Sequence, residues 1–120
     1  MNKILVLADA KETLDSIKSA LEDSFDLILT DSPLQAENIL LKCKNISLSI
    51  IDIKSERRGE LDFADNIKNL QPGIKIIASL DPKRTISEED LDKSGICGYF
   101  TKPHNKSAIR DLIFRHFPSN

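Results

Sequence analysis

The sequence predicts an α/β protein built on a doubly wound parallel sheet of five strands with five helices. Apolar runs of strand length recur about every 22 residues, and the segments between them carry apolar residues at helical spacing. Strict alternation of strands and helices favours a parallel sheet covered on both faces, because right-handed crossovers leave few other arrangements. The five predicted strands are Lys3–Ala8, Phe25–Thr30, Leu48–Asp52, Ile74–Ser79 and Ile96–Thr101.

Each predicted helix has an apolar face, and three stretches mark helix ends. Ser32 precedes a proline and is followed three residues later by Gln35, which is typical of a capped helix start. Ser87 is followed by three acidic residues, which a helix N-terminus favours. The stretch Gln71-Pro72-Gly73 ends the third helix. The apolar faces are Leu14/Ile17/Leu21, Ala36/Ile39/Leu40/Cys43, Phe63/Ala64/Ile67/Leu70, Ile86/Leu91 and Ile109/Leu112/Ile113/Phe117.

The composition fits one globular domain over residues 1–120. The chain has 17 basic and 19 acidic residues, a formal charge of −2, which gives no electrostatic reason to expect nucleic acid or a membrane surface as a partner. No apolar run approaches the roughly 20 residues of a membrane span, and no cleavage site follows the first run. We therefore expect a cytoplasmic protein whose two cysteines, Cys43 and Cys97, are reduced core thiols; a disulfide or metal pair is the alternative.

Four polar residues lie where the predicted strands end. In five-stranded doubly wound sheets the common strand order is 2-1-3-4-5, and ligands bind at the carboxyl ends around strands 1 and 3. Asp9 follows the first strand, whereas Asp52, Ser79 and Lys102 end the third, fourth and fifth. This order predicts that the two carboxylates approach each other, with Ser79 and Lys102 on one flank.

These residue types together fit phosphoryl transfer onto an aspartate. Two close carboxylates repel unless a cation neutralises them, and oxygen ligands suit Mg²⁺. A hydroxyl and a fixed ammonium suit the oxygens of a phosphoryl group. Taken singly, each residue has a simpler interpretation: Asp9 as a helix start, Asp52 as a turn residue, and Lys102 as a solvated lysine before Pro103. Their coincidence at one sheet edge favours the functional interpretation.

With these residues in place, the whole chain resembles a response regulator receiver domain of bacterial two-component signalling, a chemotaxis-regulator-like protein with a flavodoxin-like fold. The resemblance rests on KILVLAD at the N-terminus, SIID in the third strand, IIAS in the fourth and GYFTKP in the fifth. The last of these motifs is the most specific.

The resemblance implies a role for each site residue. Asp52 would be the phosphoacceptor, and Asp9, Asp52 and the backbone carbonyl of Lys54 would hold Mg²⁺. Ser79 would bond a phosphoryl oxygen and Lys102 would pair with it. Tyr99 would be the aromatic switch that turns inward as Ser79 moves. Pro103 in such domains commonly follows a cis peptide bond, which would aim Lys102 inward.

The resemblance also implies partners rather than an enzyme that acts on a separate substrate. A sensor histidine kinase or a phosphotransfer protein would supply the phosphoryl group. The face formed by the fourth helix, fifth strand and fifth helix would bind an output domain, a partner protein or a second copy of the chain. Direct binding of nucleic acid or membrane is not expected.

Three departures from the family pattern bear on this site. Ala8 replaces the first of two consecutive acids, which predicts weaker binding of Mg²⁺. The loop after Asp52, IKSERRGELD, lacks the usual Met-Pro. Leu80 replaces a small residue and is expected to crowd the approach to Asp52 and the movement of Tyr99.

Two other functional classes compete with a phosphorylated receiver. The departures favour a degenerate receiver that acts as a phosphorylation-independent interaction module, whereas the retained Asp9, Asp52, Ser79 and Lys102 argue against it. A flavin or dinucleotide binder is disfavoured because the loop after the first strand, ADAKETL, has no glycine-rich phosphate cradle. His104 has no assigned role, since a lone histidine before a helix is usually solvated.

Overall fold

The computed structural model describes residues 2–53, 58–83, 86–102 and 104–117, with side chains in the third helix from residue 61 onward. Over these ranges five strands alternate with five helices, and all neighbouring strands are parallel in the order β2-β1-β3-β4-β5. The predicted fold class and strand order are therefore confirmed. The elements are β1 (Lys3–Leu7), α1 (Lys11–Leu21), β2 (Asp26–Thr30), α2 (Pro33–Lys42), β3 (Ile46–Ile53), α3 (Arg58–Leu70), β4 (Lys75–Leu80), α4 (Glu88–Lys93), β5 (Ile96–Thr101) and α5 (Lys106–Arg115).

The burial of each strand follows its position in the sheet. Every residue of the central β3 is buried except Ser47, whereas β2 and β5 at the two edges have only one and two buried residues. A central parallel strand is covered by helices on both faces, which is why apolar residues of β3 are buried on both sides of the sheet.

Two apolar clusters lie on opposite faces of the sheet. One packs against α2, α3 and α4 and includes Ile51 and Ala78, and the other packs against α1 and α5 and includes Ile50 and Ile77. Successive side chains of a strand point to opposite faces. Asp52 and Ser79 therefore lie on the same face as Ile50 and Ile77, which α1 and α5 cover.

The helix ends follow the predicted signals. The Ser32 hydroxyl accepts a hydrogen bond of 3.2 Å from the Gln35 N–H, and the Ser87 hydroxyl accepts one of 3.1 Å from the Asp90 N–H. Both satisfy backbone donors that a first helical turn leaves unpaired. The third helix ends at Leu70, directly before Gln71.

Two sequence-based expectations need correction. The third strand begins at Ile46, two residues earlier than predicted, because Ile46 is buried and pairs with Lys3. Both cysteines are free, but Cys97 is exposed, so the expectation of a core thiol is wrong for that residue. Cys43 is half-buried and packs against the cluster that includes Ile51. Cys97 is exposed because it lies on the edge strand β5.

No helix in the described ranges has both the length and the apolar character needed to cross a membrane.

Candidate functional site

The strand register brings the predicted site residues together at the carboxyl edge of the sheet. Asp52 in β3 is paired with Ser79 in β4, and Ser79 is paired with Phe100 in β5. Lys102 follows β5, and its N–H donates a 3.0 Å hydrogen bond to the carbonyl of Leu80. This bond continues the ladder between β4 and β5 beyond the end of the strand, so the backbone of Lys102 is held beside the site.

Asp52 is a buried carboxylate whose one ion pair in the described ranges is with Lys102. Its side chain is 1% exposed, and the Lys102 Nζ lies 3.5 Å from its Oδ1. Within the part of the chain that the structure describes, neither carboxylate oxygen receives a hydrogen bond. Burying a charged group without hydrogen bonds is costly, so such a group calls for a functional or structural explanation. Asp52 can therefore accept further positive charge or donors.

The β1 side of the site contributes less. Leu7 of β1 is paired with Ile51 of β3. Ala8 and Asp9 come directly after Leu7, and Asp52 comes directly after Ile51. Asp9 is exposed, and Ala8 is buried at 4% exposure where the family pattern has an acid. In the described ranges no group of three or more acidic, histidine or cysteine side chains is arranged to hold a metal ion.

The residues present still fit a hard cation. The Asp52 oxygens, which receive no hydrogen bond from the described residues, and the carboxylate of Asp9 are the ligand type that Mg²⁺ prefers. Mg²⁺ commonly binds through one or two carboxylates while keeping several waters. The third predicted ligand, the carbonyl of Lys54, lies outside the described residues, as does Pro103 with its predicted cis bond. Two of the three predicted ligands are therefore described carboxylates of the type that such an ion prefers.

Ser79 is fully buried and bonds to a residue that the sequence analysis left without a role. Its Oγ lies 3.1 Å from the Nε2 of His104. His104 follows Lys102 by two residues, and both side chains reach residues at the carboxyl ends of the strands, Asp52 and Ser79. The expectation of a solvated histidine is wrong: His104 is half-buried, and its ring meets the Phe100 ring edge-on at 5.7 Å.

Charged neighbours of both signs surround the His104 ring. Burial lowers its pKa below the ordinary value of 6.5, and the Lys102 ammonium lowers it further. The Asp52 and Glu12 carboxylates oppose these effects. A lowered pKa means that the neutral imidazole, with one donor and one acceptor nitrogen, predominates at neutral pH.

Tyr99 and Leu80 belong to the opposite face of the sheet. The Tyr99 hydroxyl donates a 3.0 Å hydrogen bond to the Glu88 carboxylate in the first turn of α4. Leu80 is fully buried in the cluster that includes Leu91, and Tyr99 packs against this cluster. Because Leu80 is not exposed, it does not line the approach to Asp52, and that expectation is wrong. Its predicted effect on Tyr99 stays a prediction.

Sequence reasoning missed His104 and Glu88. The signal for His104 was its position two residues after the predicted site lysine, where a chain that turns at the edge of a sheet stays close to it. The sequence predicted Glu88 only as an acidic residue in the first turn of a helix. That position does not predict a hydrogen bond with a tyrosine on the neighbouring strand.

Comparison with known proteins gives structural relatives of similar length. No protein-family model matches the sequence, and a search of curated proteins finds no match either. A response regulator receiver domain protein from Clostridium thermocellum is 27% identical with a TM-score of 0.73, and the alignment covers 98% of both chains. A response regulator from Thermotoga maritima is 22% identical with a TM-score of 0.80, covering 99% of both chains.

A third similar structure carries a different name. A protein from Burkholderia pseudomallei, provisionally named as pilus assembly-related, is 18% identical with a TM-score of 0.82, and the alignment covers 96% of this chain and 88% of that chain. The resemblance predicted from the motifs is confirmed by these likenesses: the chain has the fold of a response regulator receiver domain.

Proposed function

We propose that the chain is a receiver domain of two-component signalling in which Asp52 accepts a phosphoryl group from a histidine kinase or a phosphotransfer protein. The observation that carries this proposal is the buried Asp52 carboxylate, whose oxygens lack hydrogen bonds from the described residues while the Lys102 ammonium lies 3.5 Å away. A carboxylate so placed is a poorly solvated nucleophile beside a fixed cation, which suits a phosphoryl acceptor.

The transfer itself divides roles among four side chains. An Asp52 oxygen attacks the phosphorus, the bond from phosphorus to the donor histidine nitrogen breaks, and that nitrogen keeps the electron pair. Lys102 would pair with the phosphoryl oxygens, and the Ser79 hydroxyl would donate a hydrogen bond to one of them. Asp9 and Asp52 would hold Mg²⁺, which supplies charge neutralisation during such a transfer.

The output of this receiver would be a change on its α4–β5–α5 face. Tyr99 is tied to α4 through Glu88 in the structure, so an inward turn of Tyr99 would release that helix from β5. A surface with two such arrangements can bind a partner in one of them only. The partner would be an output domain, another protein or a second copy of the chain. We propose no activity on a separate substrate and no direct binding of nucleic acid.

The experiment is phosphorylation by acetyl phosphate with Mg²⁺, followed by mass spectrometry of the intact chain. The wild type should gain the mass of one phosphoryl group, and Asp52→Asn should gain none. Asp31→Asn is the matched control, because Asp31 also follows a strand of this sheet but lies after β2, on the far side of β1. Equal labelling of wild type and Asp52→Asn would reject Asp52 as the acceptor.

A degenerate receiver that binds partners without phosphorylation is the second candidate. The buried Ala8 in place of an acid, and the bulk of Leu80 in the cluster against which Tyr99 packs, are the observations that favour it. Tyrosine fluorescence separates the two, because the chain has one tyrosine and no tryptophan. A phosphorylated receiver should change the emission of Tyr99 on treatment with beryllofluoride and Mg²⁺, whereas a degenerate one should respond no more than Asp52→Asn.

A further inference from the structure

His104 is the residue whose placement the proposed function does not use. It is half-buried, its Nε2 is 3.1 Å from the Ser79 Oγ, and its ring contacts Phe100. Among the described residues this is the one hydrogen bond of the Ser79 side chain. The hydroxyl that would meet a phosphoryl group is thus already engaged by an imidazole.

A serine hydroxyl has one proton and can both donate and accept. If the Ser79 hydroxyl donates to His104 Nε2, its proton is unavailable to a phosphoryl oxygen. If Nε2 carries the proton and donates to Ser79 Oγ, the hydroxyl proton is free to point elsewhere. The two arrangements keep the same 3.1 Å contact and differ in which nitrogen of the ring is protonated.

The second arrangement has a physical advantage once a phosphoryl group is bound to Asp52. A phosphoryl group adds negative charge and acceptor oxygens, so it favours every donor directed toward it. A hydroxyl that accepts a hydrogen bond also becomes a better donor, since hydrogen bonds in a chain polarise one another. Ser79 is on the same face as Asp52 and paired with it in the sheet, so its proton can be directed to that side.

We propose that His104 is a positioning residue that donates through Nε2 to Ser79 and thereby orients the Ser79 hydroxyl toward a phosphoryl group on Asp52. This inference rests on the proposed function, because it assigns the ligand of Ser79 at that same site. His104 acts through Ser79 and is not expected to touch the phosphoryl group.

The neutral state of the ring does not oppose this role. Both the Nε2–H tautomer of neutral imidazole and the imidazolium donate from Nε2, and only the other neutral tautomer accepts there. Exchange between the tautomers moves a proton between ring nitrogens and leaves the packing of the ring on Phe100 unchanged. The donor arrangement is therefore accessible without moving the backbone of the turn.

The test is a titration of the full chain with beryllofluoride in the presence of Mg²⁺, in which NMR amide chemical shifts report binding. His104→Phe keeps a planar ring against Phe100 and removes the donor, and it should weaken binding on the order of fivefold, the value of about one hydrogen bond. His104→Gln retains an N–H donor on a side chain of similar reach and should restore binding to within about twofold.

A double-mutant cycle separates this role from a structural one. In a Ser79→Ala background, His104→Phe should have no further effect on binding, because the donor no longer has a hydroxyl to orient. The same loss in both backgrounds would overturn the proposal, as would unchanged or tighter binding by His104→Phe in the wild-type background. Tighter binding would mean that His104 restrains Ser79 instead of orienting it.

The same titration distinguishes failure of this inference from failure of the proposed function. If wild type does not bind beryllofluoride, or binds it no better than Asp52→Asn does, the proposed function is rejected and this inference with it. If wild type binds and Asp52→Asn does not, while His104→Phe equals wild type, only the role of His104 is rejected. Thermal unfolding of each variant without ligand shows whether the folded state is intact.

Discussion

The two flanks of the candidate site differ in how much chemistry they hold. On the flank of β4 and β5, Ser79, Lys102 and His104 bring a hydroxyl, an ammonium and an imidazole to one side of Asp52. On the flank of β1, an exposed Asp9 follows a buried alanine. Under the proposed function, the first flank would bind phosphoryl oxygens, whereas the second has fewer of the acids that would hold a metal ion. We therefore expect the binding of phosphoryl oxygens to be better supported in this chain than the binding of a metal ion.

The largest effect on stability is expected at Asp52, where the two flanks meet. Asp52→Asn removes a buried charge that no described residue hydrogen-bonds, and we expect it to raise the free energy of unfolding by about 2 kcal/mol. Urea unfolding of both chains measures this difference. A less stable Asp52→Asn would mean that the ion pair with Lys102 outweighs the cost of burying the carboxylate.

The β1 flank can be tested by restoring the missing acid. Ala8→Asp should tighten Mg²⁺ binding on the order of tenfold, because polar groups that surround the ligands of a metal site typically change its affinity by that amount or more. Ala8→Asn is the matched control, since it has nearly the same shape without the charge. Titration of each variant with Mg²⁺ gives the two affinities, and equal affinities would show that the β1 flank is not limited by Ala8.

The β5 flank can be weakened by removing its cation. Lys102→Met keeps the apolar stem and leaves Asp52 without its counter-charge, so the free energy of unfolding should fall by about 1 kcal/mol. We expect a smaller loss than for a fully buried pair, because the Lys102 side chain is 29% exposed.

The control for this change is the same substitution in the Asp52→Asn background, where the loss should disappear. A loss of equal size in both backgrounds would assign it to packing of the lysine stem and not to the ion pair. Unfolding in urea at high and low salt gives a second check, since an ion pair is screened by salt and packing is not.

The smallest expected effect is a pH dependence from His104. Its folded-state pKa lies below the ordinary value of 6.5 because of burial and Lys102, so the folded chain binds fewer protons than the unfolded chain. The stability is therefore fully present above pH 6.5 and falls as the pH drops through the folded-state pKa. His116 has a lowered pKa for a similar reason and contributes in the same direction.

His104→Phe should reduce the loss of stability below pH 6.5, as measured by thermal unfolding over a series of buffers. His116→Phe is the control that measures how much of the pH-dependent loss of stability comes from His116. The Asp23 carboxylate, whose pKa is lowered mainly by its hydrogen bond from Arg110, acts only below its ordinary value of 3.8, so it does not obscure this window. An unchanged pH profile in His104→Phe would mean that the histidine is as solvated in the folded chain as in the unfolded chain.

The site could be predicted to the extent that it depends on strand ends. Asp52, Ser79 and Lys102 each follow directly from a continuous apolar run, and the strand order then places them side by side. Leu80 shows the limit of this reasoning. Its position next to Ser79 in the chain implied a position next to the site, but adjacent residues of a strand point to opposite faces, and Leu80 lies in the other cluster.

His104 and Glu88 show a second limit. Both contacts join residues that are separated along the chain, 25 residues for Ser79 and His104 and 11 for Tyr99 and Glu88. A sequence pattern predicts the secondary structure of one segment and its buried face. It does not predict which distant side chain a polar residue near the end of a strand contacts. Those contacts depend on how the turn after β5 and the start of α4 are packed.

The sequence by itself determined the five strands, to within two residues at their ends, and a parallel sheet. Combined with the strand order that is common in such sheets, it also placed Asp52, Ser79 and Lys102 at one edge. The periodicity of apolar side chains marks the strands and helices, and the handedness of crossovers favours a parallel sheet covered on both faces. Only the tertiary structure decided that Asp52 is 1% exposed, that Lys102 lies 3.5 Å from it and that His104 reaches Ser79. These properties depend on side-chain distances between separate elements, which are set when the helices pack on the sheet.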